Sequence, residues 1–131
     1  MTRIFRFYPL SIITVIIIIY LSLFNPASIG LSKIHIWDKA VHAIMYFGFT
    51  IVFWLEYLIN NSRLTAKAVL LLMIPLPIII GGTLEIIQEH FTGIRSGDWN
   101  DFLANLVGVL AGAVIGLLVE RPIIRRLLPR K

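Results

Sequence analysis

YPLSIITVIIIIYLSLF, residues 8–24, carries no charged side chain and is stopped by Asn25-Pro26. A run of this kind is too apolar for a small soluble domain to cover, and it matches the thickness of a bilayer core. Three further apolar segments follow, at about 38–59, 66–88 and 101–119, ending respectively at Asn60-Asn61, near Gln88, and at Arg121-Pro122. Hydrophobic residues make up 58% of the chain. The expected class is an all-α membrane protein, a bundle of four transmembrane helices forming a single domain over residues 1–131, with a basic tail at 120–131. Pro75 and Pro77 remove backbone donors inside the third segment and predict a kink or a break there.

Orientation is read from Lys and Arg. Arg3, Arg6, Arg63, Lys67, Arg121, Arg125, Arg126, Arg130 and Lys131 fall on one side of the expected spans, and Lys33, Lys39 and Arg95 on the other. The positive-inside rule then puts both termini in the cytoplasm. A cleaved leader over residues 1–24 is the alternative, but the apolar run is long and bulky and no small-x-small cleavage site follows it. The net charge of +5 comes from residues that flank apolar segments, so it reads as topology and anionic-lipid contact and excludes a nucleic-acid groove. Cysteine is absent, which removes disulfides and thiolate metal sites.

The polar residues of the apolar segments gather towards one expected membrane face. Asp38, Lys39 and His42 open the second segment, Glu85 and Gln88 close the third, and Asp101 and Asn105 open the fourth. Charge in hydrocarbon marks a functional site by default. At a rise of roughly 1.5 Å per residue, His42 lies about 6 Å below Asp38, Asn105 about 6 Å below Asp101, and Glu85 roughly 27 Å from Lys67. His42, Glu85 and Asn105 are therefore expected to share one layer, with Asp38, Gln88 and Asp101 above it. Helical spacing aligns Asp38, His42 and Tyr46 on one face, Glu85 with Gln88, and Asp101 with Asn105 and Gly108. The result is a polar pocket at the outer face of the bundle.

Taken in order, Asp38-Lys39-x-x-His42-x-x-x-Tyr46, Glu85-x-x-Gln88 and Arg95-x-Gly97-Asp98-x-x-Asp101-x-x-x-Asn105-x-x-Gly108, with Gly112, resemble the VanZ-like family of small bacterial membrane proteins. The resemblance covers roughly residues 35–116, and the ordered set is far more specific than any single piece. It implies a multi-pass protein of the bacterial cytoplasmic membrane with a role near the cell envelope. The family is named for a protein associated with tolerance of the glycopeptide teicoplanin, which acts on lipid-linked wall precursors. Resemblance supplies no reaction.

Each residue also has a plainer use. His42 can bridge helices as a polar contact, or act as a base or ligand. Glu85 can be half of a buried pair, and Gln88 can orient it or a ligand. Arg95 suits a phosphate or carboxylate but also a neighbouring acid such as Asp98. Asp98 reads as the N-cap of the fourth helix, with Asp101 in its first turn. Gly108, Gly112 and Gly116 form a smooth strip for close helix packing, within the chain or in a homodimer. Trp37 and Trp99 mark one interface, and Trp54 with Tyr57 the other.

The expected ligand-binding set is Asp38, His42, Tyr46, Glu85, Gln88, Arg95, Asp101 and Asn105. No phosphate-binding glycine loop, serine elbow or zinc-binding His-Glu-x-x-His helix is present. Asp38, His42, Glu85 and Asp101 are metal-ligand types without diagnostic spacing, so no metal and no cofactor are expected. Three functions compete: a non-catalytic factor binding membrane lipids, in particular a polyprenyl-linked envelope precursor; an intramembrane enzyme with His42, Glu85 and Arg95 as its chemical groups; and a transporter. The last is disfavoured by the lack of a matching polar series in the cytoplasmic half.

Overall fold

The computed structural model describes residues 2–24, 35–91 and 99–129, with side chains described at all of these except 24, 35–38 and 91. Every regular element in this set is helical. α1 spans Thr2–Phe7, α2 Pro9–Phe24 and α3 His35–Asn60. α4, Ala66–Ala68, leads through a π-helical stretch Val69–Met73 into α5, Pro75–Phe91; α6, Trp99–Ile115, leads through a second π-helical stretch Gly116–Glu120 into α7, Arg121–Leu127.

Three continuous helical stretches are long and apolar enough to cross a membrane: Lys39–Asn60, Ala66–His90 and Trp99–Leu127, of 22, 25 and 29 residues. The expected first span is shorter than the other three. α2 has 16 residues, against the roughly 20 that a membrane core requires. α1 adds length, because Tyr8 N–H donates to the Ile4 carbonyl and Ile12 N–H to that of Tyr8. Pro9 interrupts the ladder between them, since it has no N–H to give.

The prolines of the third segment leave its helix unbroken. A proline ring collides with the carbonyl four residues earlier, and widening the preceding turn to the π form moves that carbonyl aside. Ile74 N–H accordingly donates to Val69, five residues back, at 3.1 Å, immediately before Pro75. The same device precedes Pro122, where Arg121 N–H donates to the Gly116 carbonyl. The fourth helix therefore does not stop at residue 119, and the first part of the expected tail continues it as α7.

α3 is the central helix, and its main partner is α6. Between helices surrounded by lipid, association rests on close van der Waals contact rather than on a hydrophobic driving force. The glycine strip provides that contact. A methyl group at Gly108 would collide with the Ala43 carbonyl, one at Gly112 would come 2.7 Å from Thr50 Cβ, and one at Gly116 would enter the Trp54 indole. The strip that suited a second copy equally well is filled within the chain. Trp54 is fully buried and Tyr57 nearly so, which corrects their placement in an interfacial belt. The missing side chain at Gly116 makes the space that the indole occupies.

α2 is held to the bundle by polar contacts near both ends. At one end the Glu56 carboxylate of α3 accepts from Leu10 N–H at 2.8 Å, Ser11 N–H at 2.9 Å and the Ser11 hydroxyl at 2.6 Å. The two backbone groups are donors that a helix N-terminus leaves without partners of its own. At the other end Gln88 Nε2 of α5 donates to the Ser22 carbonyl at 2.7 Å.

Candidate functional site

α3, α5 and α6 each bring an ionisable side chain to one level of the bundle. His42 comes from α3, Glu85 from the last third of α5 and Asp101 from the first turn of α6, and one ligand-type atom from each lies within 4.8 Å of the others. They are 2%, 9% and 6% exposed. The layer expected from helical rise holds Asn105, not Asp101, with His42 and Glu85. Helical rise alone puts Asp101 one turn above His42, yet its carboxylate oxygen Oδ2 stands 3.8 Å from His42 Nε2.

Asn105 sits one turn further along α6 and faces the same imidazole. His42 Nδ1 is 3.2 Å from Asn105 Oδ1. A carbonyl oxygen only accepts, so with the amide in this orientation the tautomer that makes the hydrogen bond carries its proton on Nδ1. In the neutral ring, Nε2 then carries the lone pair on the side of Asp101. Lys39, one turn before the layer, places Nζ 3.8 Å from Asp101 Oδ1.

Tyr46 is buried below His42 on α3, and its ring meets α5 at Gly81. A methyl group at Gly81 would stand 3.2 Å from Tyr46 Cε1 and 3.3 Å from Asn105 Nδ2. Gly81 therefore lets α5 approach the site, a role that the sequence alone does not single out. Asn105 Nδ2 is buried and has no hydrogen-bond partner among the described residues, so the amide keeps a donor for an incoming acceptor. Gln88, expected to orient Glu85 or a ligand, donates its Nε2 to the Ser22 carbonyl. Part of its role is therefore the joining of α2 to α5.

Of the expected set, His42, Tyr46, Glu85, Gln88, Asp101 and Asn105 are buried in this region. The side chain of Asp38, together with Arg95 and Asp98, lies outside the described residues. The polar residues are expected to gather towards one face with no matching series in the other half, yet Glu56 in that other half is buried, at 6% exposed. It lies about 21 Å along α3 from His42, at the helical rise of about 1.5 Å per residue. Its carboxylate is occupied by α2, and the nearby Asn60 and Asn61 amides donate to the carbonyls of Glu56 and Tyr57. Such a network closes on itself and serves the fold. Glu120 adds a second carboxylate in that half, in the π-helical stretch before Arg121.

The two polar regions differ in what they offer. The Glu56 carboxylate is filled by donors from α2, although Trp54 Nε1 and both Glu120 oxygens in that half are buried without a hydrogen-bond partner among the described residues. The His42 layer brings a ring nitrogen, two carboxylates and the Asn105 amide within a few ångströms. The latter can accept hydrogen bonds from a polar ligand, donate one to it, or surround a cation. Comparison with models of known families, with curated proteins and with solved structures finds no match to this chain.

Proposed function

We propose that this chain is a VanZ-like multi-pass protein of the bacterial cytoplasmic membrane that binds the polar head of an anionic lipid-linked envelope intermediate without converting it. The observation that carries this reading is the convergence of His42, Glu85, Asp101 and Asn105 from three helices into one buried layer. In the family resemblance these residues are members of one ordered motif, and their meeting in space is what a common ligand requires.

The surroundings support a lipid in particular. Ile86, Leu103 and Val107 lie on α5 and α6 close in sequence to the site residues and are well exposed, at 59%, 54% and 63%. They offer an apolar surface to a prenyl chain while the head reaches the polar layer. Lys39 brings positive charge to the layer, and the guanidinium of Arg95, a member of the same sequence motif, is of the type that binds an anionic group. By the positive-inside rule this end of the bundle faces outward, where lipid-linked wall precursors are presented. Handling of such a precursor would also connect the chain to glycopeptide tolerance.

The test is retention of a polyprenyl-phosphate-linked lipid by purified protein in nanodiscs. Wild type retains it chemically unchanged, and Arg95→Ala weakens retention. A lipid converted by wild type but only bound by Glu85→Gln would instead make the protein an enzyme, because transition-state stabilisation alone would have been lost.

A further inference from the structure

We propose that His42 Nε2 and the carboxylates of Glu85 and Asp101 bind a divalent transition-metal ion, zinc or manganese. The sequence offers no metal-binding spacing, since the three residues come from three helices. The fold removes that objection by placing one donor atom of each within 4.8 Å of the other two.

Three observations favour a metal. The first is distance. Two ligands of one tetrahedral ion stand about 3.4 Å apart when each bond is about 2.1 Å. His42 Nε2 and Asp101 Oδ2, at 3.8 Å, are beyond hydrogen-bond length and near that separation. Side-chain adjustments of less than about 1 Å would bring the full set to bonding distance.

The second is the state of the histidine. Metal-bound imidazoles almost always donate their other ring N–H to an oxygen, which fixes the tautomer and aims the ring. Asn105 Oδ1 provides that oxygen at 3.2 Å from Nδ1, and Nε2 is turned to the side of Asp101. The third is burial. All three donors are at least nine-tenths buried on helices that are held by close packing, so the ligands are positioned by the bundle rather than by loops.

One nitrogen and two carboxylate oxygens suit zinc or manganese better than magnesium or calcium, which prefer oxygen alone. Three protein ligands leave a coordination position open, as in metal sites that receive an external ligand. Under the function proposed above, an anionic headgroup oxygen would take that position. The metal site itself does not depend on that reading.

The experiment uses full-length protein in detergent with no polyprenyl lipid present. Protein incubated with zinc or manganese is desalted, and its metal content is measured by mass spectrometry. One ion per chain is expected, falling to background in His42→Ala, Glu85→Gln and Asp101→Asn. It should be unchanged in Glu89→Gln and His90→Ala, which alter exposed residues on α5. Bound manganese in wild type is also expected to show nitrogen coupling in pulsed electron paramagnetic resonance, a readout that requires no variant to fold. Absence of bound metal in wild type, retention in all three site variants, or bound manganese without a nitrogen ligand would overturn the proposal. The lipid reading would still have its own test.

Discussion

Nδ1 of His42 lies 3.2 Å from Oδ1 of Asn105, a contact across α3 and α6 between two residues that are each 2% exposed. It determines which face of the imidazole is turned towards Asp101 and Glu85. Removing the amide as Asn105→Ala leaves the ring without its orienting partner while retaining every proposed metal ligand. Zinc affinity is expected to fall about 10–100-fold, the usual consequence of losing an outer-shell partner. A competition titration against a chromophoric chelator measures it, and an unchanged affinity would show that the contact does not orient the ring.

The Glu56 network predicts the opposite kind of result. Glu56→Ala removes the acceptors for Leu10 N–H, Ser11 N–H and the Ser11 hydroxyl. Ser11 is buried, and each of its two donors left unmatched costs about 1–3 kcal/mol. The variant should lose thermal stability in detergent more than Ser11→Ala does, because the latter removes a single hydroxyl. Lipid retention per folded molecule should match wild type. A selective loss of binding with normal stability would place Glu56 in the functional site.

Glycines on α3 and α6 provide a paired test of packing. Gly108→Ala drives a methyl group into the Ala43 carbonyl, which is backbone and cannot turn away. A loss of about 1–3 kcal/mol is expected, the range for overpacking a tight contact. A methyl group added at Gly48 would meet nothing within 4 Å, so Gly48→Ala should be neutral or stabilising by up to about 1 kcal/mol through helix propensity. Unfolding of the two variants in mixed micelles distinguishes them, and equal stability would mean that α3 and α6 are not in close contact there.

The site is legible in sequence wherever helical rise and periodicity are enough. Counting along the three helices brings His42, Glu85 and Asn105 to one depth, and the fold joins them there with Asp101. What depends on partners distant in the chain is not legible. Glu56, close to the end of its helix, resembles any headgroup-level acid until the first N–H groups of α2 are seen to end on it. Trp54 resembles an interfacial tryptophan until Gly116 opens a space for the indole. Pro75, Pro77 and Pro122 signal interruption, but whether a helix breaks or widens into a π turn depends on the packing around it. The spare donor of Asn105 and the closeness of Gly81 are likewise properties of the assembled bundle.

Topology can be checked independently of any ligand. Reporters after Lys131 and within residues 60–66 are expected to signal the cytoplasm, and one near Gly93 the outside, from the distribution of Lys and Arg. A reporter before Thr2 decides the role of α1 and α2. A cytoplasmic signal there means that they cross the membrane together despite the 16-residue length of α2, and an outside signal means that they do not.

The central claim is that the His42 layer exists for a ligand and not merely to join helices. Retention of a polyprenyl-phosphate-linked lipid by Glu85→Gln, measured beside the membrane abundance and melting temperature of the same preparation, tests it most directly. The exchange keeps size and hydrogen-bonding capacity but removes the charge. Lipid retention is expected to be lost while abundance and melting temperature remain close to wild type. A fall in stability in proportion to the loss of binding, or full retention of the lipid, would contradict the claim and leave Glu85 as one side of a structural pair.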